Sequence, residues 1–182
     1  RQWFRTQPEP GSRINIKEVL KEGQAIIVQV DKDERGNKGA ALTTFISLAG
    51  RFLVLMPNNP RGGGVSRRIA GEERDEVRNA LRNLEIDENQ SCIIRTAGIG
   101  RSQEELDWDL KYLSGIWDAI LNTPKKDNPF LIYRESSPIV RALRDHLNQD
   151  IGEITIDDKE AYDEAHEFMS HTTPHNLNKL KQ

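Results

Sequence analysis

Cysteine is nearly missing from this chain of 182 residues: Cys92 stands alone. One thiol excludes an intramolecular disulfide, a cysteine-cluster zinc site and an iron–sulfur cluster, and it fits a reducing compartment, so a cytoplasmic location is expected. Long hydrophobic runs are missing as well. The longest, Ala25 to Val28 and Phe52 to Met56, fall far short of the ~20 residues that span a bilayer, and no charged-then-apolar leader opens the chain. Neither a membrane-spanning nor a secreted protein is expected. Aromatic residues make up 6% and hydrophobic residues 36%, against 30% charged, and mean hydropathy is -0.69. The composition is that of a polar, soluble chain of about one domain's length, able to bury roughly 70% of its unfolded surface.

Carboxylates are unevenly absent. The net charge is -3, yet residues 1 to 69 hold 12 Lys and Arg against 6 Asp and Glu, a net +6, and the remainder carries a net -9. Residues 35 to 68 contain Arg35, Lys38, Arg51, Arg61, Arg67 and Arg68 and no acidic residue at all. Such a run suggests a surface that meets negative charge such as phosphate, the plain alternative being a solvated basic strand face.

What is present reads as two kinds of chain. Arg1 to Arg13 has no periodicity and no initiating Met, and reads as the edge of a fragment. Gln24 to Asp31 is rich in β-branched residues, Asp33 to Gly39 has turn chemistry, and Ala40 to Ser47 resumes strand character, which makes a hairpin. Arg51 to Met56 is a third strand, stopped by Pro57-Asn-Asn-Pro60. Beyond Gly71 a period near 3.6 takes over, with Val77, Leu81 and Leu84 on one helix face. Ser91 to Arg95 reads as a strand and Thr96 to Gly100 as a loop. Ser102 and Glu105 form a capping box that opens a long helix with Leu106, Leu110, Leu113, Trp117 and Leu121 as its core stripe. Phe130 to Tyr133 reads as a strand, Ser137-Pro138 opens a helix carrying Ile139, Leu143 and Leu147, Glu153 to Asp157 reads as a strand, and Lys159 to Ser170 as a last helix. The outline is a β-rich basic part joined to an α/β part.

Among candidate chemistries, Arg95 to Ser102 stands out: a strand ends in a glycine loop that leads into a helix N-terminus flanked by Arg95 and Arg101. Freed backbone N–H groups, the helix dipole and two guanidinium groups would together favour a phosphate. The spacing of a nucleotide-hydrolysing phosphate loop is absent. Asp107 and Asp109 flank Trp108, and read as a solvated face, because neighbours two apart on a helix diverge. Asp157 and Asp158 end a strand where a nuclease could place a carboxylate, without an identifiable acidic partner. His146, His166, His171 and His175 show no ligand spacing, and Cys92 reads as a small buried apolar residue. A non-catalytic scaffold, using the acidic part to meet protein and the basic part to meet RNA, is the alternative from a different class.

Gly36 to Gly50, Leu53-Val-Leu-Met-Pro-Asn-Asn-Pro60, Val65-Ser-Arg-Arg-Ile69 and Arg95-Thr-Ala-Gly98 together resemble the ribonuclease E/G family. Ala40-Ala41 and Asn58-Asn59-Pro60 look more like its E branch, and Leu143-Arg-Asp145 through Gln149 to Glu153 extends the resemblance almost to the C-terminus. The resemblance implies an α+β fold: the remainder of an OB-type (S1) RNA-binding barrel at 1–44, a mixed α/β 5′-sensor region at 45–140, and part of a ribonuclease-H-like subdomain at 141–182. It implies a parent endoribonuclease that cleaves single-stranded RNA in RNA processing and mRNA decay. The parent would use Mg2+ for catalysis and Zn2+ for assembly, form a homotetramer within an RNA-degrading complex, and be cytoplasmic or peripheral at the inner membrane. The magnesium-binding aspartates and zinc-sharing cysteines would lie beyond Gln182, so this portion is expected to be inactive and to bind no cofactor itself. Carried over by position, Arg95 and Thr96 match residues that hold an RNA 5′-monophosphate. Gly50 and Val54 match a pocket beside the terminal nucleotide, and Lys38 and Arg67 match basic residues along the RNA path.

Overall fold

The structure is a computed structural model that describes residue 11 and residues 15–66, 69–124, 126–134 and 137–182. Two compact units divide the chain, residues 1–46 and 47–182. In the first, a short helix α1 (Ile16–Val19), capped by the Asn15 side chain, precedes a hairpin of β1 (Gln29–Lys32) and β2 (Ala41–Thr43). Val30 lies opposite Leu42, with a bulge between Val30 and Lys32. Arg35 and Lys38 exchange backbone hydrogen bonds of 3.0 and 3.1 Å across the tip. Gly36 makes that turn possible, since its φ of +59° lies in the left-handed region. The strand expected over Gln24 to Asp31 thus starts later, and the hairpin itself is present.

The second unit is built on a four-stranded sheet in the order β3-β4-β6-β5. Strands β3 (Leu48–Ala49), β4 (Leu53–Met56) and β6 (Ser91–Ile94) are antiparallel neighbours, and β5 (Gly64–Val65) runs parallel to β6. Alternation along β4 sends Leu53 and Leu55 inward, both fully buried, and leaves Val54 and Met56 half-buried. Helix α2 (Glu72–Arg82) packs on β5 and β6, and α3 (Gln103–Leu121) on β4. Helices α4 (Pro138–His146) and α5 (Lys159–Thr172) form a second core with Val140, Leu143, Phe168 and Met169 at its centre. A short parallel pair, β7 (Ile154–Thr155) with β8 (Leu180–Lys181), ends the chain. The architecture is α+β.

Several expectations change here. Phe130 to Tyr133 forms no strand: Leu131 is 67% exposed, far more open than the half-buried surface that strand composition fits. The strand expected over Glu153 to Asp157 shortens to two residues. On α3 the stripe holds through Trp117 and then shifts to Ile120, 7% exposed, while Leu121 at 53% faces solvent. Arg51 does not join a basic surface: it is buried, donates from Nη2 to the Leu147 carbonyl and lies over the Phe52 ring. Asp109 is the largest departure. Expected on a solvated face, it is fully buried.

Candidate functional site on the 50–53 turn

The tight connection between β3 and β4 is Gly50-Arg51-Phe52-Leu53, closed by a 2.8 Å hydrogen bond from Gly50 N–H to the Leu53 carbonyl. The complementary pair, the Gly50 carbonyl and the Leu53 N–H, is satisfied from outside the turn. Asp109 on α3 accepts from Arg51 N at 3.0 Å through Oδ1, and from Phe52 N and Leu53 N at 2.8 Å through Oδ2. Three converging N–H groups make a cradle for a negative charge, here filled by the protein's own carboxylate. Burial pushes the Asp109 pKa up, opposed by those three N–H groups and by the nearby Arg95 charge.

Gly50 has a direct steric reason. A Cβ there would stand 2.5 Å from Asp109 Oδ2, far inside van der Waals contact, so any side chain would expel the carboxylate from the turn. The Gly50 carbonyl points the other way and accepts from Arg95 Nη1 at 2.6 Å, with the Arg51 carbonyl at 3.4 Å from the same nitrogen. Arg95 follows β6 directly, and its backbone N–H donates to the Phe52 carbonyl at 2.8 Å. The turn is thus held by a carboxylate on one side and a guanidinium on the other.

Arg95 keeps 29% of its side chain exposed, and Nη2 donates to Asp145 Oδ1 at 2.8 Å. Thr96 is exposed and begins a 3-10 turn, Thr96–Gly98. That turn packs tightly on the 50–53 turn, because a Cβ on Gly98 would lie 2.8 Å from Ile94 Cγ2 and 3.0 Å from the Phe52 carbonyl. Val54 follows on β4, half-buried, between Ala49 and Ile93. Gly50, Val54, Arg95 and Thr96 are therefore brought together by one turn and the strands on either side of it. Lys38 lies exposed at the hairpin tip of the first unit, and Arg67 lies outside the described residues.

The start of α3 contributes less than its sequence suggests. Ser102 Oγ accepts from Glu105 N at 3.2 Å and Glu105 Oε2 accepts from Ser102 N at 3.1 Å, so the capping box is formed and occupies donors that an anion would need. Arg101 is also engaged, with Nε 3.3 Å from the Ala97 carbonyl, Nη1 3.6 Å from Glu105 Oε1, and its guanidinium over the Phe52 ring. Of the two guanidinium groups expected to meet a phosphate, Arg95 is the one at the mouth of the turn.

Residues 47–182 match the Ribonuclease E/G family. The chain belongs to that family. It is 55% identical to Ribonuclease E of Haemophilus influenzae over 170 residues, covering 93% of this chain and 18% of the relative. Against Ribonuclease E of Escherichia coli it is 54% identical over 171 residues, covering 93% and 16%. Against Ribonuclease G of Escherichia coli it is 36% identical over 169 residues, covering 92% and 34%. The chain spans less than a fifth of the length of these two Ribonuclease E relatives. Its identity to both exceeds that to this Ribonuclease G, in the direction that Ala40-Ala41 and Asn58-Asn59-Pro60 suggest.

The Mg2+ and Zn2+ implied by the ribonuclease E/G resemblance find no ligand set among the described residues, where no three His, Cys, Asp or Glu side chains come together. Cys92 is buried, and burial with the Asp109 charge pushes its thiol up to about 12. Asp158 is spent on capping α5 through Ala161 N at 2.8 Å. No helix among the described residues is long and apolar enough to cross a membrane.

Proposed function

We propose that the 50–53 turn, with Arg95 and Thr96 at its mouth, grips the 5′-terminal monophosphate of single-stranded RNA, in a protein whose full chain is an endoribonuclease of RNA processing and mRNA decay. The observation that carries this reading is the fixed, solvent-reachable Arg95 guanidinium. Its Nη1 is pinned on the Gly50 carbonyl while Nη2 meets a carboxylate oxygen at 2.8 Å, the geometry a phosphate oxygen would take. Thr96, next in sequence and exposed, supplies a hydroxyl donor. Gly50 and Val54 offer a close-packed, apolar floor for the terminal nucleotide, and Lys38 and Arg67 are the basic residues that neutralise RNA phosphates in this reading.

In this reading residues 1–44 belong to an OB-type barrel, 45–140 to the 5′ sensor and 141–182 to a ribonuclease-H-like subdomain. The parent works as a homotetramer in an RNA-degrading complex, with this portion recognising RNA rather than cutting it. The test uses the full-length protein with Arg95→Gln or Thr96→Val, on RNAs of one sequence carrying a 5′-monophosphate or a 5′-hydroxyl. Loss of the Arg95 contacts is expected to remove about 2 kcal/mol of monophosphate-specific binding, about thirtyfold. An unchanged preference for the monophosphate in both variants removes the assignment.

A further inference from the structure

The Arg95 guanidinium already holds an anion of the protein's own making. Asp145 Oδ1 lies 2.8 Å from Nη2, and the two side chains are 29% and 31% exposed, so the pair sits where an incoming phosphate would arrive. Asp145 gains nothing from the dipole of its own helix. It lies in the last turn of α4, where the negative end of the helix dipole disfavours a carboxylate. Guanidinium groups offset that cost. Arg144 reaches Asp145 Oδ1 from Nε at 3.2 Å and Oδ2 from Nη2 at 3.3 Å, and Arg144 is itself buried with Nη1 3.4 Å from the Ala49 carbonyl.

Arg95 does not depend on Asp145 for its place, because Nη1 is fixed on Gly50. Each member of the pair therefore has an anchor of its own. The bond between them can open while Asp145 stays on Arg144 and Arg95 stays on the turn, without leaving a buried charge unpaired.

We infer that Asp145 is a specificity-determining competitor at the 5′-end site: its carboxylate occupies Arg95 until a phosphate displaces it, and then repels negative charge beyond that of one phosphate. The inference rests on the 5′-end reading above and names what sets its selectivity. A 5′-hydroxyl brings no charge with which to displace the carboxylate. A monophosphate, with a charge of about -1.5 to -2 at neutral pH, takes its place on Arg95. A triphosphate sets further charge against a carboxylate that Arg144 holds beside the socket, a repulsive element of the kind that sharpens discrimination.

The test measures binding of oligonucleotides of one sequence with 5′-monophosphate, 5′-triphosphate or 5′-hydroxyl ends to full-length wild type, Asp145→Asn, Asp145→Ser and Arg95→Gln. In the Asp145 variants monophosphate binding is expected to tighten about three- to tenfold, triphosphate binding to tighten more, and 5′-hydroxyl binding to stay unchanged. Asn preserves shape and Ser removes bulk, so a folding defect in one leaves the other to decide. Weaker or unchanged monophosphate binding in the folded variants overturns the inference and makes Asp145 a strut. If Arg95→Gln abolishes end discrimination while the Asp145 variants are silent, only this inference fails. If Arg95→Gln is itself silent, the site fails and the inference with it.

Discussion

Asp109 is a buried carboxylate whose three hydrogen bonds all come from one turn, and each fixes a backbone N–H that would otherwise be orphaned. Asp109→Asn keeps the size but offers one acceptor oxygen in place of two, turning an NH2 group toward at least one of those N–H donors. The expected loss is about 1–3 kcal/mol of stability, the cost of a buried unsatisfied donor, read as a lower urea midpoint; an unchanged midpoint would show that the turn does not need this carboxylate. Sequence held a signal for Asp109 that the diverging Asp107 and Asp109 pair concealed. Position 109 is three after Leu106 and four before Leu113, on the buried stripe itself, whereas Asp107 falls outside it and is exposed. A polar residue in an apolar stripe announces burial, but its partners come from residues 51–53, more than fifty positions away. Gly50 shows the same limit: its need for a bare Cα is set by Asp109, not by a neighbour in sequence.

At the scale of elements, helices were the legible part. Their local rules, a 3.6 period with Ser102, Ser137 and Asp158 as side-chain caps, act within four residues and are visible along the chain. Strands depend on partners. Phe130 to Tyr133 has strand composition and forms no strand, while Leu180-Lys181 pairs with Ile154-Thr155 through a register that nothing local encodes. The α3 N-terminus gives a prediction at this scale. Ser102→Ala removes the 3.2 Å bond to Glu105 N and leaves Glu105 without its reciprocal role, at an expected cost of about 1 kcal/mol. The variant should show a lower thermal midpoint with 5′-end discrimination retained, since Arg95 follows β6 and is not anchored on α3. Lost discrimination in a folded Ser102→Ala protein would show that the helix start shares in the site.

Across the whole molecule, the division of charge seen in the sequence takes a more specific form in the structure. The basic run from 35 to 68 is not one surface: Arg35, Lys38 and Arg61 are exposed, whereas Arg51 is buried among the elements it braces. Burial and the neighbouring Arg101 charge both lower the Arg51 pKa, with Glu105 and Asp109 acting against them. The charge that matters to the site is a small, paired set around one turn, in which Arg95 alone combines a fixed anchor with an open face. Family membership is shown by the match over residues 47–182; the grip on a 5′ end is the proposal that this geometry supports.

The most direct test is a structure of the protein with a short 5′-monophosphorylated oligonucleotide. The terminal phosphate is expected within hydrogen-bond distance of the Arg95 guanidinium and the Thr96 hydroxyl, with Asp145 withdrawn onto Arg144. A phosphate bound elsewhere, with the Arg95–Asp145 contact intact, would contradict the account.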